Sequence, residues 1–167
     1  MKTLIAYYSR TGHTEQLAKE IAARCKADID MIRDDGVDRR GLCGYLRSGW
    51  QAASGATPAI KRATRNPADY DLVVIGAPVW NWSLAAPVRT YARRHARQFK
   101  QVAFFCTEGG SGDRRVFDEL HRICGKPPRA TMAVREREID APRHAKSLKR
   151  FLAQLAAPVA RNAGPKR

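Results

Sequence analysis

The sequence feature that most constrains the fold is a nearly continuous apolar run, DLVVIGAP, at residues 71–78. A strand with one face in water alternates apolar and polar residues, whereas this run is typical of a strand covered on both faces. Two more runs of this kind, KTLIAYY at 2–8 and QVAFFCT at 101–107, also lead into short loops. The pattern predicts buried strands that each end in a turn.

Amphipathic helices separate these strands. Apolar residues recur at helical spacing at Leu17, Ile21 and Cys25, at Val88, Tyr91 and Ala92, at Val116, Phe117, Leu120, Ile123 and Cys124, and at Leu148, Phe151, Leu152 and Leu155. Weaker strands at 27–33 and 130–136 complete a set of five. Because strands alternate with helices and crossovers are right-handed, we predict a doubly wound α/β domain with a parallel sheet between helical layers.

Residues 34–70 carry the weakest pattern. Four apolar residues keep helical spacing there, namely Leu42, Leu46, Trp50 and Ala53. Glycines lie among them and weaken the helix pattern. We predict a glycine-containing second helix that ends at Thr57–Pro58, followed by an extended link to the third strand.

Length and composition fit one soluble domain, since 167 residues with 44% hydrophobic and 28% charged residues are ordinary for a globular chain. No apolar run approaches the roughly 20 residues that span a bilayer. The Met-Lys start has no signal-peptide features. We therefore expect a cytoplasmic protein that is not integral to a membrane, with a domain over residues 1–157 and a basic C-terminal tail over 158–167.

Three loops should meet at the carboxyl edge of the sheet, where open parallel sheets bind ligands. The first, SRTGHT at 9–14, places the hydroxyls of Ser9, Thr11 and Thr14 beside Gly12, ahead of a helix whose positive end would face them. This favours a mononucleotide phosphate, because no Walker A or GxGxxG motif is present. The structural alternative is that Thr14 caps the helix and Ser9 makes a turn.

The second and third loops favour a flat ligand. PVWNW at 78–82 has two tryptophans that would be exposed unless a planar ring covers them. TEGGSG at 107–112 has glycines that let backbone N–H groups approach a ligand, although alone it could be only a turn. Together the three loops predict a site for flavin mononucleotide (FMN).

Through the motifs YYSRTGHT, DYDLVVIGAPVWNWSLAAPVRTY and FFCTEGGSGDRRVFDEL, the chain resembles the flavodoxin-like FMN-binding family. This family includes flavodoxins and NAD(P)H:quinone reductase-like flavoproteins. The resemblance covers nearly the whole chain and is weakest over 34–70. It implies a flavodoxin-like three-layer sandwich with a five-stranded parallel sheet, strand order 2-1-3-4-5, and FMN at the first and third strands.

The resemblance also implies which residues hold the FMN. The first loop would wrap the phosphate, the second would line the ring and ribitol, and the third would border the isoalloxazine. These residues are Ser9, Arg10, Thr11, Gly12, His13 and Thr14; Pro78, Val79, Trp80, Asn81 and Trp82; and Thr107, Glu108, Gly109 and Gly110. Trp82 either shields the ring or only packs under its loop. His13 replaces the asparagine common in such loops, and it either donates to phosphate or faces solvent without a role.

No side chain stands out as catalytic, so the flavin would carry the redox chemistry. The histidines at 95, 121 and 144 fall in predicted helices among basic residues, which is typical of solvated faces. The four cysteines, Cys25, Cys43, Cys106 and Cys124, form no CxxC pair and are interpreted as reduced thiols. Cys106 is expected to be buried and inert.

The leading hypothesis is an FMN-binding flavoprotein that acts in electron transfer or as an oxidoreductase of a quinone-like acceptor. NAD(P)H as donor, a redox partner protein and a homodimer stay open, the last by analogy alone. The chain has 31 Lys and Arg against 16 Asp and Glu, a net charge of +15, whereas electron-shuttling flavodoxins are typically acidic. This charge disfavours a carrier that docks on positively charged reductases. It permits attraction to an acidic partner surface or an anionic membrane surface, which no lipidation motif supports.

The alternative is a flavin-free basic module that binds nucleic acid or another polyanion. Its support is the total charge and the basic runs RTYARRHARQFK at 89–100 and RHAKSLKR at 143–150. Against it, the basic residues are spread over several predicted helices and match no nucleic-acid motif. Solvated helix faces explain them without a nucleic-acid partner.

Overall fold

The computed structural model of the protein describes residues 1–36 and 41–158, so the expected tail beyond residue 158 lies outside the described part. The strands are β1 (Thr3–Tyr7), β2 (Asp28–Met31), β3 (Leu72–Trp80), β4 (Ser83–Leu84), β5 (Val102–Glu108) and β6 (Thr131–Arg135). The α-helices are α1 (His13–Cys25), α2 (Gly41–Ala53), α3 (Ala86–His95), α4 (Asp113–Cys124), α5 (Glu136–Asp140) and α6 (Ala145–Ala156). Short 3-10 helices at Pro67–Asp69 and Ala96–Gln98 precede β3 and β5.

The sheet has its parallel strands in the order β2-β1-β3-β5-β6, and β4 pairs antiparallel with the end of β3. Counted along the chain without β4, this is the predicted order 2-1-3-4-5, and the flavodoxin-like α/β prediction is confirmed. The β3–β4 hairpin makes the sheet six-stranded, a detail that differs from the five expected strands. A two-residue strand is too short to give a periodic sequence pattern.

The central strands are buried on both faces. Leu4 and Ala6 of β1 belong to a core cluster shared with α3 and α4. Ile5 and Tyr7 belong to a second cluster, shared with α1 and α6 on the opposite face. Since successive strand residues point to opposite faces, the apolar runs have to be continuous, which explains the signal in the sequence.

Gly76 in β3 shows how closely the central strands pack. A Cβ on this residue would lie 2.1 Å from the ring of Phe105, a fully buried residue of β5. Gly76 is paired with Tyr7 on one side and with Phe105 on the other. The glycine therefore leaves the room that the aromatic ring fills.

The helix α2 confirms the predicted second helix, although it ends at Ala53 and not at Thr57–Pro58. The side chain of Leu42 lies outside the described residues. The carboxyl end of α2 is held by Arg89 of α3, whose side chain is buried. Arg89 donates to the carbonyl oxygens of Ala52 at 2.9 Å and Ala56 at 3.0 Å, and its Nε lies 2.5 Å from Glu119 Oε1. The guanidinium thus satisfies carbonyls that a helix end leaves without intrahelical partners.

Arg89 and His144 correct the expectation that the basic helices present solvated faces. Arg89 makes the contacts just described, and His144 is also buried, with Nε2 2.9 Å from Glu20 Oε2 and Nδ1 3.2 Å from the Glu138 carbonyl oxygen. The exposed His121 agrees with the expectation. Basic runs in a sequence do not distinguish a solvated arginine from one that caps a neighbouring helix.

The thiols that the structure describes are free and mostly buried. Cys106 is fully buried, as expected, and burial raises its pKa well above the ordinary thiol value. Burial also raises the pKa of Cys124 to about 12 and that of Cys25 by a smaller amount. The Cys43 side chain lies outside the described residues. Low thiolate character makes these three groups poor nucleophiles.

Of the helices in the described ranges, none combines the length and the apolar character needed to cross a membrane.

Candidate functional site

A cavity of about 700 Å³ lies at the carboxyl edge of the sheet. Nine of the residues predicted for the site line it: Arg10, Thr11, Pro78, Val79, Trp80, Asn81, Trp82, Gly109 and Gly110. Five lining residues escaped the prediction: Leu46, Gly49, Trp50, Ser111 and Glu136. The remaining predicted residues are not among the lining residues: Ser9, Gly12, His13, Thr14, Thr107 and Glu108. The loops after β1, β3 and β5 thus converge on one space.

The loop after β1 is a tight turn that leads into α1. Gly12 adopts a φ of 102°, a left-handed conformation that favours glycine, and its N–H donates to Ser9 Oγ at 3.1 Å. The helix begins at His13, two residues earlier than a cap at Thr14 would require, and no side chain caps it. The predicted N-cap at Thr14 is therefore wrong.

Thr14 instead joins the first loop to the third. Its Oγ1 lies 2.7 Å from Thr107 Oγ1, and both residues are buried. Because the helix starts before Thr14 and has no side-chain cap, its first N–H groups are left for an external acceptor. The helix α1 is 13 residues long, and the free N–H groups at its N-terminus can bind an anion.

His13 contacts the helix α5 rather than facing open solvent. Its Nε2 lies 3.0 Å from Asp140 Oδ1, and its Nδ1 lies 3.1 Å from Thr11 Oγ1 and 3.7 Å from Glu136 Oε1. The short helix α5 follows β6 directly and gives no clear sequence pattern. His13 therefore connects the first loop to the acidic residues of α5.

The second loop is a two-residue hairpin turn between Trp80 and Ser83, which pair across β3 and β4. Asn81 and Trp82 have φ values of 47° and 54°, as a type I′ turn requires. Asn tolerates this region, but a bulky residue such as Trp is uncommon there. The indole Nε1 of Trp82 donates to Ser111 Oγ at 3.2 Å, so the unusual turn is linked to the third loop.

Gly112 lets the second and third loops pack together. Its φ is 124°, and a Cβ there would lie 2.7 Å from Val79 Cγ1 and 3.1 Å from Trp82 Cα. Gly109 and Gly110 differ, since a Cβ at either position would meet no atom within 4 Å. Both glycines line the cavity, so their backbone borders open space.

Aromatic side chains form the cavity wall unequally. Trp80 is only 5% exposed. It packs edge-on against Tyr8, with 5.4 Å between the ring centroids, and the Arg10 guanidinium lies 5.4 Å from the centroid of the Trp80 ring. Trp82 and Trp50 are 61% and 69% exposed. The indoles left open to a flat ligand are thus those of Trp82 and Trp50, the second of which comes from α2.

Glu108 lies beside the cavity and supports the third loop. It is buried, and its Oε2 accepts the N–H of Asp113 at 3.2 Å, at the start of α4. Burial, together with the negative charge of Asp113, raises the pKa of Glu108 above the ordinary glutamate value. The carboxylate acts here as a cap for α4.

The fold and the cavity define a doubly wound α/β protein with a ligand site at the switch point between β1 and β3, where strand order reverses. The chain belongs to the flavodoxin family, whose family model matches residues 2–133.

Solved structures with the same fold include flavoproteins. A flavoprotein in complex with FMN from Lactobacillus acidophilus NCFM is 26% identical, with a TM-score of 0.69 over 84% of this chain and 97% of that one. Oxidised flavodoxin 2 from Bacillus cereus is 16% identical, with a TM-score of 0.54 over 93% and 98% of the two chains. The apo form of an NADH:FMN oxidoreductase is 14% identical, with a TM-score of 0.54 over 95% and 91%.

The lining residues that escaped prediction had different sequence signals. Trp50 and Leu46 keep helical spacing, but only the packing of α2 shows that they face the cavity. Ser111 stands inside the third loop already singled out. Glu136 follows the last strand, and the rule that ligand sites form beyond strand ends would have found it.

Proposed function

We propose that this chain binds FMN in the cavity at the carboxyl edge of the sheet. The observation that carries the proposal is the convergence of three strand-end loops, with an uncapped helix N-terminus and two exposed tryptophans around the same space. Membership of the flavodoxin family and likeness to a structure that contains FMN support it. The volume, about 700 Å³, lies in the range of ordinary cofactor sites.

The first loop supplies the groups that would hold the phosphate. The N–H groups at the start of α1 have no side-chain acceptor, and the Thr11 hydroxyl lines the cavity. Arg10 adds positive charge at the same wall. His13, bound to α5, would hold the loop in place, while Ser9 and Gly12 set its turn.

The second and third loops supply the groups that would hold the ring. Trp82 and Trp50 offer exposed indole faces, and the backbone of Gly109 and Gly110 offers N–H groups at an open edge. For Trp82, high exposure and the bond to Ser111 support a role in shielding the ring over packing beneath the loop. Pro78, Val79 and Asn81 complete this wall.

When bound, FMN would supply reversible redox chemistry. The chain's own residues would bind the phosphate, orient the ring and exclude water from the site. We assign no catalytic side chain. We further propose that the protein works in electron transfer or as an oxidoreductase of a quinone-like acceptor, since both use a flavin held at an open edge.

The net charge of +15 bears on the acceptor. An acidic partner surface would associate faster with this chain at low ionic strength, whereas the rate with a neutral quinone would change little with salt. Reduction rates measured against both acceptors over a salt series would separate these alternatives.

Bleaching of the flavin absorbance by NADH or NADPH without a second protein would support an enzyme, and bleaching by dithionite alone would support a carrier.

The binding proposal is tested by titrating the protein with FMN and, as a matched control, with riboflavin, which lacks the phosphate. We expect saturable FMN binding with at least about tenfold weaker riboflavin binding, because the phosphate makes charge-assisted hydrogen bonds with the first loop. Absence of saturable FMN binding would overturn the proposal. Equal affinities would show that the first loop does not hold the phosphate.

A further inference from the structure

A second cleft, of about 540 Å³, lies away from the proposed FMN cavity. One of its sides is the segment Arg62–Pro67, and the other is the end of α3 with Arg94, His95 and Gln98. Both elements lead to the amino ends of strands, since the first precedes β3 and the second precedes β5. The FMN cavity lies at the opposite edge, on the order of 20 Å away along the strands. We call this second site the arginine cleft.

The arginine cleft concentrates positive charge on its lining. Arg62, Arg65 and Arg94 line it, and no acidic residue of the described ranges does. Over the described ranges, none of these three side chains makes an ion pair or a hydrogen bond. Like charges around one cleft repel one another, and an anion bound between them would relieve that repulsion.

A buried carboxylate fixes the backbone that carries two of the arginines. Asp30, only 2% exposed, accepts from Thr64 N at 3.1 Å, Thr64 Oγ1 at 2.7 Å and Arg65 N at 3.2 Å. Asn66 extends this order, because its Oδ1 accepts from Ala68 N at 3.3 Å. The segment that carries Arg62 and Arg65 is therefore held in place before any ligand binds.

On the other side of the arginine cleft, one nitrogen of His95 is buried without a hydrogen-bond partner in the described part of the chain. His95 Nδ1 lies 3.0 Å from Gln98 Oε1, while His95 Nε2 is buried and has no partner within the part of the chain that the structure describes. The ring of Tyr91 packs against it, with 4.8 Å between centroids. A buried nitrogen without a partner is costly unless a ligand or water supplies one.

We propose that the arginine cleft binds a small organic diphosphate. Guanidinium groups recognise phosphate through paired N–H donors, and three of them match an anion with several charges. The volume exceeds that of inorganic diphosphate and leaves room for an organic group between the two sides. A concave site with a fixed backbone favours a small anion over an extended acidic protein segment. The site is separate from the FMN cavity, and this inference does not rest on FMN binding.

The test uses inorganic pyrophosphate as the probe and ADP as the organic diphosphate, with excess FMN present to occupy the first loop. We expect saturable binding, with amide shifts in NMR spectra confined to 62–67 and 94–98. The variant Arg62→Gln/Arg94→Gln should bind pyrophosphate at least about tenfold more weakly, because two charge-assisted contacts are lost. The control Arg122→Gln/Arg150→Gln removes the same charge from exposed positions of α4 and α6 and should change binding less than about twofold.

Four outcomes would overturn the proposal. Equal weakening in both double variants would show that binding follows total charge rather than the cleft. Shifts confined to the first loop would place the anion at the FMN cavity. Failure of ADP to compete with pyrophosphate would exclude an organic diphosphate. Tight binding of a polyglutamate peptide that pyrophosphate does not displace would identify the cleft as a protein-docking site. If the double variant Arg62→Gln/Arg94→Gln has a lower melting temperature than the wild type, the pyrophosphate titration is repeated with Arg65→Gln alone.

Discussion

Two walls of the proposed FMN cavity are built in different ways. The strand wall consists of the loops after β1, β3 and β5, whose strands are joined by backbone ladders such as the pairing of Pro78 with Thr107. The helix wall is the part of α2 that carries Leu46, Gly49 and Trp50. Repeated backbone bonds hold the first wall, whereas a buried arginine from another helix holds the end of the second. The same cavity therefore depends on the backbone ladder of the sheet on one side and on side-chain contacts of a helix on the other.

Replacing Arg89 should have the largest effect, and it addresses the helix wall. Arg89→Met would leave Glu119 and the carbonyls of Ala52 and Ala56 without their donor, so we expect a loss of about 3–5 kcal/mol in the free energy of unfolding. FMN affinity should fall as well, because Trp50 would lose its support. Chemical denaturation and FMN titration measure the two effects. The control is Arg93→Met, an exposed arginine of α3. Equal losses in the two variants would contradict the anchoring role of Arg89.

Replacing Gly112 should strain the strand wall. Gly112→Ala would force a Cβ to 2.7 Å from Val79 Cγ1 at a φ of 124°, and we expect a loss of about 1–3 kcal/mol. Gly109→Ala, where a Cβ meets open space, is the matched control and should change stability by less than about 0.5 kcal/mol. Thermal melts of both variants measure this difference. A neutral Gly112→Ala would show that the loops do not need this close approach.

Replacing the two exposed tryptophans, one in each wall, measures how much each wall contributes to FMN affinity. Trp82→Ala and Trp50→Ala should each weaken FMN binding roughly 2- to 10-fold, because each removes an aromatic face from the ring. We expect the larger loss for Trp82, since its bond to Ser111 holds the indole in place before FMN binds. Flavin fluorescence titration gives both values, and melting temperatures should hardly change at such exposed positions. If the loss were larger for Trp50, the helix wall would be the main contact with the ring.

The smallest effect is expected outside both walls, where His144 at the start of α6 contacts Glu20 of α1. Both ring nitrogens of His144 face acceptor oxygens, of Glu20 at 2.9 Å and of Glu138 at 3.2 Å, so both nitrogens donate only in the charged imidazolium. Burial lowers the pKa of His144, but these hydrogen bonds and the negative charges of Glu20 and Glu138 together raise it more, and the net direction is upward. The stabilisation is therefore fully present below the unfolded pKa of about 6.5 and is lost as the pH rises through the higher folded pKa.

His144→Gln should accordingly cost about 0.5–1 kcal/mol at pH 6 and less at pH 9. Melting temperatures of the variant and the wild type over this pH range measure the difference. The control His121→Gln changes an exposed histidine of α4 and should show no such trend. A His144→Gln effect that grows with pH would show that the histidine is neutral in the folded protein.

The sequence predicted the elements that have strong periodic patterns and failed at short or glycine-adjacent ones. The strands β1, β3 and β5 follow from continuous apolar runs, which only a doubly covered sheet explains. The two-residue β4 and the five-residue α5 are too short for such patterns. Thr14 looked like a helix cap, yet Gly12 with its positive φ takes that position and frees the threonine hydroxyl to meet Thr107.

The candidate site divides in the same way. Loops that follow strands could be placed at one edge by the topology of parallel sheets, and so most of the strand wall was predictable. The helix wall was not, because helical spacing at Leu46 and Trp50 indicates a common face without showing what that face meets. Arg89 is one of many basic residues in the sequence, and no local pattern indicates that its side chain is buried against the end of α2.

By itself, the sequence determined the order of strands and helices and the edge of the sheet at which polar and glycine-rich loops gather. These properties are set by burial periodicity and backbone freedom, which act over a few residues. Only the tertiary structure decided which tryptophans are left open, where His13 and Thr14 make their contacts, and how three arginines come to share one cleft. Those outcomes depend on contacts between residues far apart in the chain, and local patterns carry no information about such distances.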